Sequence, residues 1–268
     1  MTMHCGSVNT RGVGGIRMIR TGLCSITFRA LAAADVLAAA AAAGLQAVEW
    51  GSDVHAPPTS PGLRELAART ADAGLAVCSY GTYFEAGVSD PADFAALSRA
   101  AAELGTARLR VWSGTVPTVD ASAADRARVV GALRAAADIA ADRGQALALE
   151  FHAGSLSDSA PAALRLLADV GRPNVSSYWQ APIGLSTADS VAGLRQLLPE
   201  VSAVHVFAWT ATEERLPLTA RADLWTDAFA LLRSTGRPYD ALLEFVPGDD
   251  PAVLPREAAA LAALAGAR

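Results

Sequence analysis

Four polar residues stand at matching places in four successive short apolar segments of this chain. Glu150 closes ALALE, Gln180 follows VSSYW, His205 lies inside AVHVF and Glu244 follows ALL. Carboxylates, an imidazole and a side-chain carbonyl are suitable ligands for a divalent ion such as Mn²⁺, Mg²⁺, Co²⁺ or Zn²⁺. A lone glutamate at the end of a strand has an ordinary reading as a salt-bridge partner. Two glutamates and a histidine brought together would be costly to bury unpaired, which favours a built site. His152, two residues beyond Glu150, is either a substrate contact or a hydrogen-bonded structural residue. His55, in EWGSDVHAPP, is either a site residue in a loop or a solvated one.

These residues converge only if the elements carrying them are arranged in a ring. Short β-type runs alternate with alanine- and leucine-rich helical stretches along the chain. Strands are expected near 20–27, 47–51, 76–80, 108–112, 146–152, 175–180, 203–208 and 241–246. Helices are expected near 33–43, 62–73, 91–104, 123–143, 160–170, 187–198, 221–234 and 251–265. Such alternation implies parallel strands with helical crossovers. At roughly 31 residues per unit, the repeat matches a βαβ element, and eight units make one (β/α)₈ TIM barrel of α/β class. A doubly wound open sheet is the rival, but no GxGxxG loop follows the first strand, which runs into Phe28-Arg29-Ala30. Period-two alternation then places Ala146, Ala148 and Glu150 inward on the fifth strand, His205 inward on the seventh and Glu244 inward on the eighth. Barrel enzymes carry their chemistry at the C-terminal ends of the strands, and these residues lie there.

Composition narrows the function. The chain has 268 residues, 52% hydrophobic and 18% charged, with a formal net charge of −5. That is globular, and with every basic residue an arginine and none clustered, a nucleic-acid partner is not expected. Cys5, Cys24 and Cys78 have no metal-ligand spacing and form no disulfide framework, which suits a cytoplasmic protein. The most apolar stretch, 30–45, is interrupted by Asp35 and is shorter than the ~20 residues of a membrane span. Residues 1–17 read as a flexible tail, with Met18 the more natural start, and 18–268 as a single barrel domain.

The segments AVEWGSDVH, RVWSG, LEFHAGSLSD, HVFAW, RLPL and LLEF, in this order, resemble the xylose isomerase-like sugar phosphate isomerase/epimerase superfamily. Its members include ketose 3-epimerases, hydroxypyruvate isomerase and inosose dehydratase. The resemblance implies one divalent ion at the barrel mouth, held by a glutamate, an aspartate, a histidine and a glutamate on strands five to eight. Glu150, His205 and Glu244 match three of these, and Gln180 stands where the aspartate is expected. It further implies a metal-dependent sugar or sugar phosphate isomerase or epimerase, working by proton abstraction beside a metal-bound carbonyl, with Glu150 and Glu244 as the acid–base pair. The partner is then a small sugar or polyol-derived molecule, and a homo-oligomer is left open.

Within that reading, His152, His55 and Arg110 could contact substrate, and Trp112 and Trp209 could wall the sugar face. Arg110 has an alternative as a core ion-pair partner of Glu49, and the tryptophans as core packing. Rival functions are a non-catalytic carbohydrate-binding or regulatory barrel with a degenerate metal site, an inosose-dehydratase-like lyase, and an abasic-site endonuclease. The last is disfavoured by only four histidines and an acidic balance.

Overall fold

The structure is a computed structural model that describes residues 18–266. The tail expected over residues 1–17 lies outside the described residues. Eight strands, β1 (Ile19–Cys24), β2 (Ala47–Gly51), β3 (Ala76–Glu85), β4 (Arg108–Trp112), β5 (Ala146–Glu150), β6 (Val175–Trp179), β7 (Val201–Val206) and β8 (Tyr239–Leu243), pair in parallel into a closed barrel in chain order. Between and after them run α1 (Ala33–Ala42), α2 (Leu63–Asp72), α3 (Pro91–Glu103), α4 (Ala123–Ala141), α5 (Ala160–Val170), α6 (Thr187–Leu197), α7 (Ala222–Ser234) and α8 (Leu254–Gly266). No helix among the described residues is long and apolar enough to cross a membrane.

Local signals start and stop these helices. Asp90, Ser122, Ser159 and Ser186 accept hydrogen bonds from the first-turn amides of α3, α4, α5 and α6. Gly171, at φ 58°, ends α5 in the left-handed region that a side chain would disfavour. The helices pack a continuous apolar shell against the outside of the sheet, with Trp50, Trp179 and Trp225 fully buried in it. Inside the barrel a second, smaller cluster is made by Ala47, Cys78, Ala148, Tyr178, Ala203 and Leu242. The interior is tight enough that a Cβ built on Gly22 would lie 2.5 Å from Leu242 Cδ2 and 2.6 Å from the Ala47 carbonyl oxygen.

Several strand ends differ from the periodicity-based expectation, each for a local reason. β1 stops at Cys24 because Ser25–Phe28 turn into a 3₁₀ segment, whose Thr27 Oγ1 accepts from the Phe245 amide. β3 runs to Glu85, five residues past Tyr80, and the Thr82 hydroxyl donates to the Arg110 carbonyl. It also carries a bulge: Val48 pairs with Val77 but Glu49 with Ser79. The extra residue shifts the alternation, which leaves both Cys78 and Gly81 facing the interior. β8 ends at Leu243; the Glu244 amide still donates to the Val206 carbonyl, and Phe245, at φ 56°, then breaks the extended path.

Candidate metal centre

The mouth of the barrel receives Glu150 from the last position of β5, Gln180 from the residue after β6, His205 from the penultimate position of β7 and Glu244 from the residue after β8. All four are buried. Glu150, His205 and Glu244 each offer one donor atom, and these atoms lie within 4.8 Å of one another. His205 turns Nδ1 toward this group, 3.2 Å from Glu244 Oε2 and 3.4 Å from Gln180 Oε1. The Tyr178 ring lies against the imidazole at 4.4 Å between centroids and limits its rotation. Ser157 Oγ donates to the Glu150 carbonyl at 2.6 Å and belongs to a buried knot with Ser113 and Ser155, which fixes the loop after β5.

Beneath these donors lies an ion-pair layer. Arg110, 1% exposed, donates Nε to Glu49 Oε1 at 2.9 Å and Nη1 to Glu150 Oε2. Glu49, fully buried on β2, also receives the Cys24 thiol at 3.2 Å and faces His205 Nε2 at 3.4 Å. Of the two earlier readings of Arg110, the geometry realises the ion pair with Glu49 and extends it to Glu150, leaving no guanidinium surface at the mouth.

The cluster's charges are unequal. Glu49 and Glu150 pair with one guanidinium and Glu244 faces the His205 imidazole, so with all three carboxylates ionised and the imidazole neutral the buried group carries two negative charges in excess. The titration directions reflect this. Burial pushes the Glu244 carboxyl above its ordinary value, Glu150 adds to the rise and His205 opposes it. Burial alone would lower the His205 imidazole, yet Glu244 and then Glu49 hold it above its ordinary value. Burial would likewise raise Glu49, but the Arg110 guanidinium and His205 hold it well below the usual carboxylate range. The group seeks positive charge, and a divalent ion supplies two units of it. The donor set of carboxylate oxygens, an amide oxygen and an imidazole nitrogen suits such an ion, so the residues fit one.

The other expected site residues have separate places. His152, just after β5, lies against Trp112 at the end of β4, with ring centroids 4.5 Å apart and the planes tilted by 44°. Trp209 packs at a tilt against Phe207 and Phe245, with ring centroids 4.8 and 5.6 Å away, in the loops after β7 and β8. His55 is half-buried, and both ring nitrogens are engaged, with Ser25 Oγ at 3.0 Å and the Leu31 carbonyl at 3.1 Å; it ties the loop after β2 to the turn after β1. Sequence reasoning passed over Arg215, which lies over the Phe245 ring at 4.3 Å and pairs with Asp249, joining the loops after β7 and β8. It also passed over Glu49 as a neighbour of His205. The available signal was a charged residue between small Ala47 and Gly51 on the inward phase of AVEWG.

Residues 37–259 match the model of the xylose isomerase-like TIM barrel family. A 3-dehydroshikimate dehydratase of Bacillus anthracis is 25% identical over 206 residues, covering 70% of this chain and 71% of that protein. The crystal structure of a probable 3-DHS dehydratase involved in petrobactin synthesis in Bacillus anthracis superposes with a TM-score of 0.77 at 21% identity, over 91% of this chain and 98% of the other. An L-ribulose 3-epimerase structure superposes with a TM-score of 0.74 at 20% identity, over 92% and 94%.

Proposed function

This chain belongs to the xylose isomerase-like TIM barrel family, and we propose that it is a metal-dependent isomerase or epimerase that removes a proton from the carbon beside the carbonyl of a sugar or sugar phosphate. The observation that carries this reading is the convergence of Glu150, His205 and Glu244 donor atoms within 4.8 Å at the barrel mouth. When bound there, with Gln180 or water completing the shell, a divalent ion supplies Lewis acidity to the carbonyl and acidifies the adjoining C–H. Glu150 and Glu244 come from β5 and β8, which are not neighbours in the barrel, so they approach a bound substrate from different sides. One can take a proton from one face and the other return a proton to the opposite face, which inverts the carbon. If a single glutamate instead moves the proton between adjacent carbons, the same site isomerises. The pair Trp112–His152 and the group Phe207–Trp209–Phe245 supply aromatic rings against which a sugar ring can pack.

A second reading, dehydration, is favoured by the similarity to the 3-dehydroshikimate dehydratase. The first step is the same proton removal beside a carbonyl. The two reactions part afterwards: a dehydratase breaks the C–O bond at the next carbon and releases water, whereas an epimerase reprotonates.

The test is metal analysis of the purified protein, followed by incubation in D₂O with ketoses, inososes, hydroxypyruvate and 3-dehydroshikimate. The proposal expects bound divalent metal and deuterium beside the carbonyl in recovered ketose, lost on chelation and regained on adding metal. Exchange confined to 3-dehydroshikimate, with loss of water and new ultraviolet absorbance, selects the dehydratase reading. Metal-loaded protein that exchanges no substrate refutes both and leaves a carbohydrate-binding barrel.

A further inference from the structure

Resting on the reading of the barrel mouth as a site that removes a proton beside a carbonyl, we propose that Tyr83, held by Arg29, is where an anionic group of the substrate, a phosphate ester or a carboxylate, is bound. Tyr83 lies near the C-terminal end of β3 and is the one exposed side chain of that strand, at 37%. The pairing of β3 with β4 brings it there. Gly81 pairs with Arg110, and the next paired residue is Glu85, opposite Trp112, so β3 advances four residues while β4 advances two. Irregularities of this kind re-aim side chains at the rims of barrels. The Tyr83 ring comes to lie over the Arg110 guanidinium, with Cζ 5.9 Å from the ring centroid, and Arg110 in turn holds Glu150. Tyr83 is therefore one guanidinium away from a carboxylate of the site, on the mouth side of the barrel.

Only part of the phenol's hydrogen-bonding capacity is engaged. Arg29 Nη1 donates to Tyr83 Oη at 2.9 Å. A hydroxyl both accepts and donates, and among the described residues Oη has no acceptor for its own hydrogen. A phenol ionises only near pH ~10, and burial raises this one further, so that hydrogen is present at neutral pH. Arg29 comes from the turn after β1, and its Nη2 pairs with Asp53 in the loop after β2. Two of the five N–H groups of the guanidinium are thus engaged, while the side chain is 47% exposed. A hydroxyl hydrogen beside a partly open guanidinium offers charge-assisted hydrogen bonds to an anionic oxygen, which a neutral sugar hydroxyl would use much more weakly. Packing alone needs no hydroxyl here, since a phenylalanine would cover Arg110 equally well and Asp53 by itself pairs with Arg29.

The experiment compares wild type, Tyr83→Phe and Arg29→Gln in the presence of Mn²⁺, each checked for fold by circular dichroism. Calorimetry measures Kd for D-fructose, D-fructose 6-phosphate and 3-dehydroshikimate, and deuterium incorporation in D₂O follows turnover of the same compounds. One of the two anionic compounds should bind wild type at least ~10-fold more tightly than D-fructose. Each variant should reduce that ratio by ~10-fold, the loss expected for one charge-assisted hydrogen bond. The compound that shows this identifies the anion as phosphate ester or carboxylate. D-Fructose bound as tightly as both anionic compounds, or a ratio that either variant leaves within twofold of wild type, overturns the assignment; deuterium exchange in the same samples would leave the proposed reaction standing. An anionic preference that both variants lose, without exchange of any compound, overturns the proposed reaction and leaves the assignment in place. Wild-type protein that binds none of the three compounds overturns the assignment.

Discussion

Replacing Arg110 by methionine keeps much of the side-chain volume and removes the guanidinium that pairs with both Glu49 and Glu150. All three side chains are buried, with Glu150 the most exposed at 4%, so water cannot replace the lost partner. Removing one member of a buried ion pair typically costs about 3–5 kcal/mol, because the other charge stays behind unpaired. Here two carboxylates lose their partner, which places the expected loss toward the upper end. For a domain of this size each kcal/mol lowers the melting temperature by roughly 2–4 °C, so Arg110→Met should melt about 10–20 °C below wild type. The assay is urea and thermal unfolding of metal-free wild type, Arg110→Met, Glu49→Gln and the double variant. Neutralising Glu49 removes one of the stranded charges, so the double variant should recover at least ~1 kcal/mol relative to the sum of the single losses. A single-variant loss under about 1 kcal/mol, or strict additivity in the cycle, would refute the charge accounting.

Gln180→Asp should bind Mn²⁺ more tightly by calorimetry, because it adds a carboxylate beside His205 Nδ1, which Gln180 Oε1 approaches at 3.4 Å; equal or weaker binding would remove Gln180 from the ligand set. Glu150→Gln and Glu244→Gln should each abolish turnover of an epimerised ketose by at least 100-fold, with Mn²⁺ affinity measured in parallel to separate loss of the base from loss of the ion. Deuterium wash-in lost with only one of the two variants would identify a single-base isomerase. Gly22→Ala should destabilise by about 1–3 kcal/mol or more in urea unfolding, since the new methyl would lie 2.6 Å from a backbone carbonyl that cannot rotate away; an unchanged midpoint would show that the barrel interior yields more easily than its packing implies.

The eightfold alternation, the parallel sheet and the inward faces of the fifth, seventh and eighth strands were legible in the sequence. Each depends on local periodicity: apolar residues at every second place mark a strand, and that phase alone decides which side chains point to the axis. Glu150, His205 and Glu244 could therefore be placed at one mouth without coordinates. The partners of those residues were less legible, because contacts across a barrel depend on closure and on how far each strand is staggered against the next. Glu49 meets His205 only because β2 and β7 face a common interior, and a one-residue bulge in β3 brings Gly81 under that contact. Strand ends were misjudged where tertiary hydrogen bonds outweigh periodicity, as where Thr82 carries β3 beyond Tyr80 and where Phe245 turns to φ 56° beneath Arg215. Which histidine nitrogen faces the site, and whether Arg110 meets substrate or carboxylate, are likewise properties of the closed barrel: the period-two pattern fixes the side of a strand and carries no information about what lies opposite.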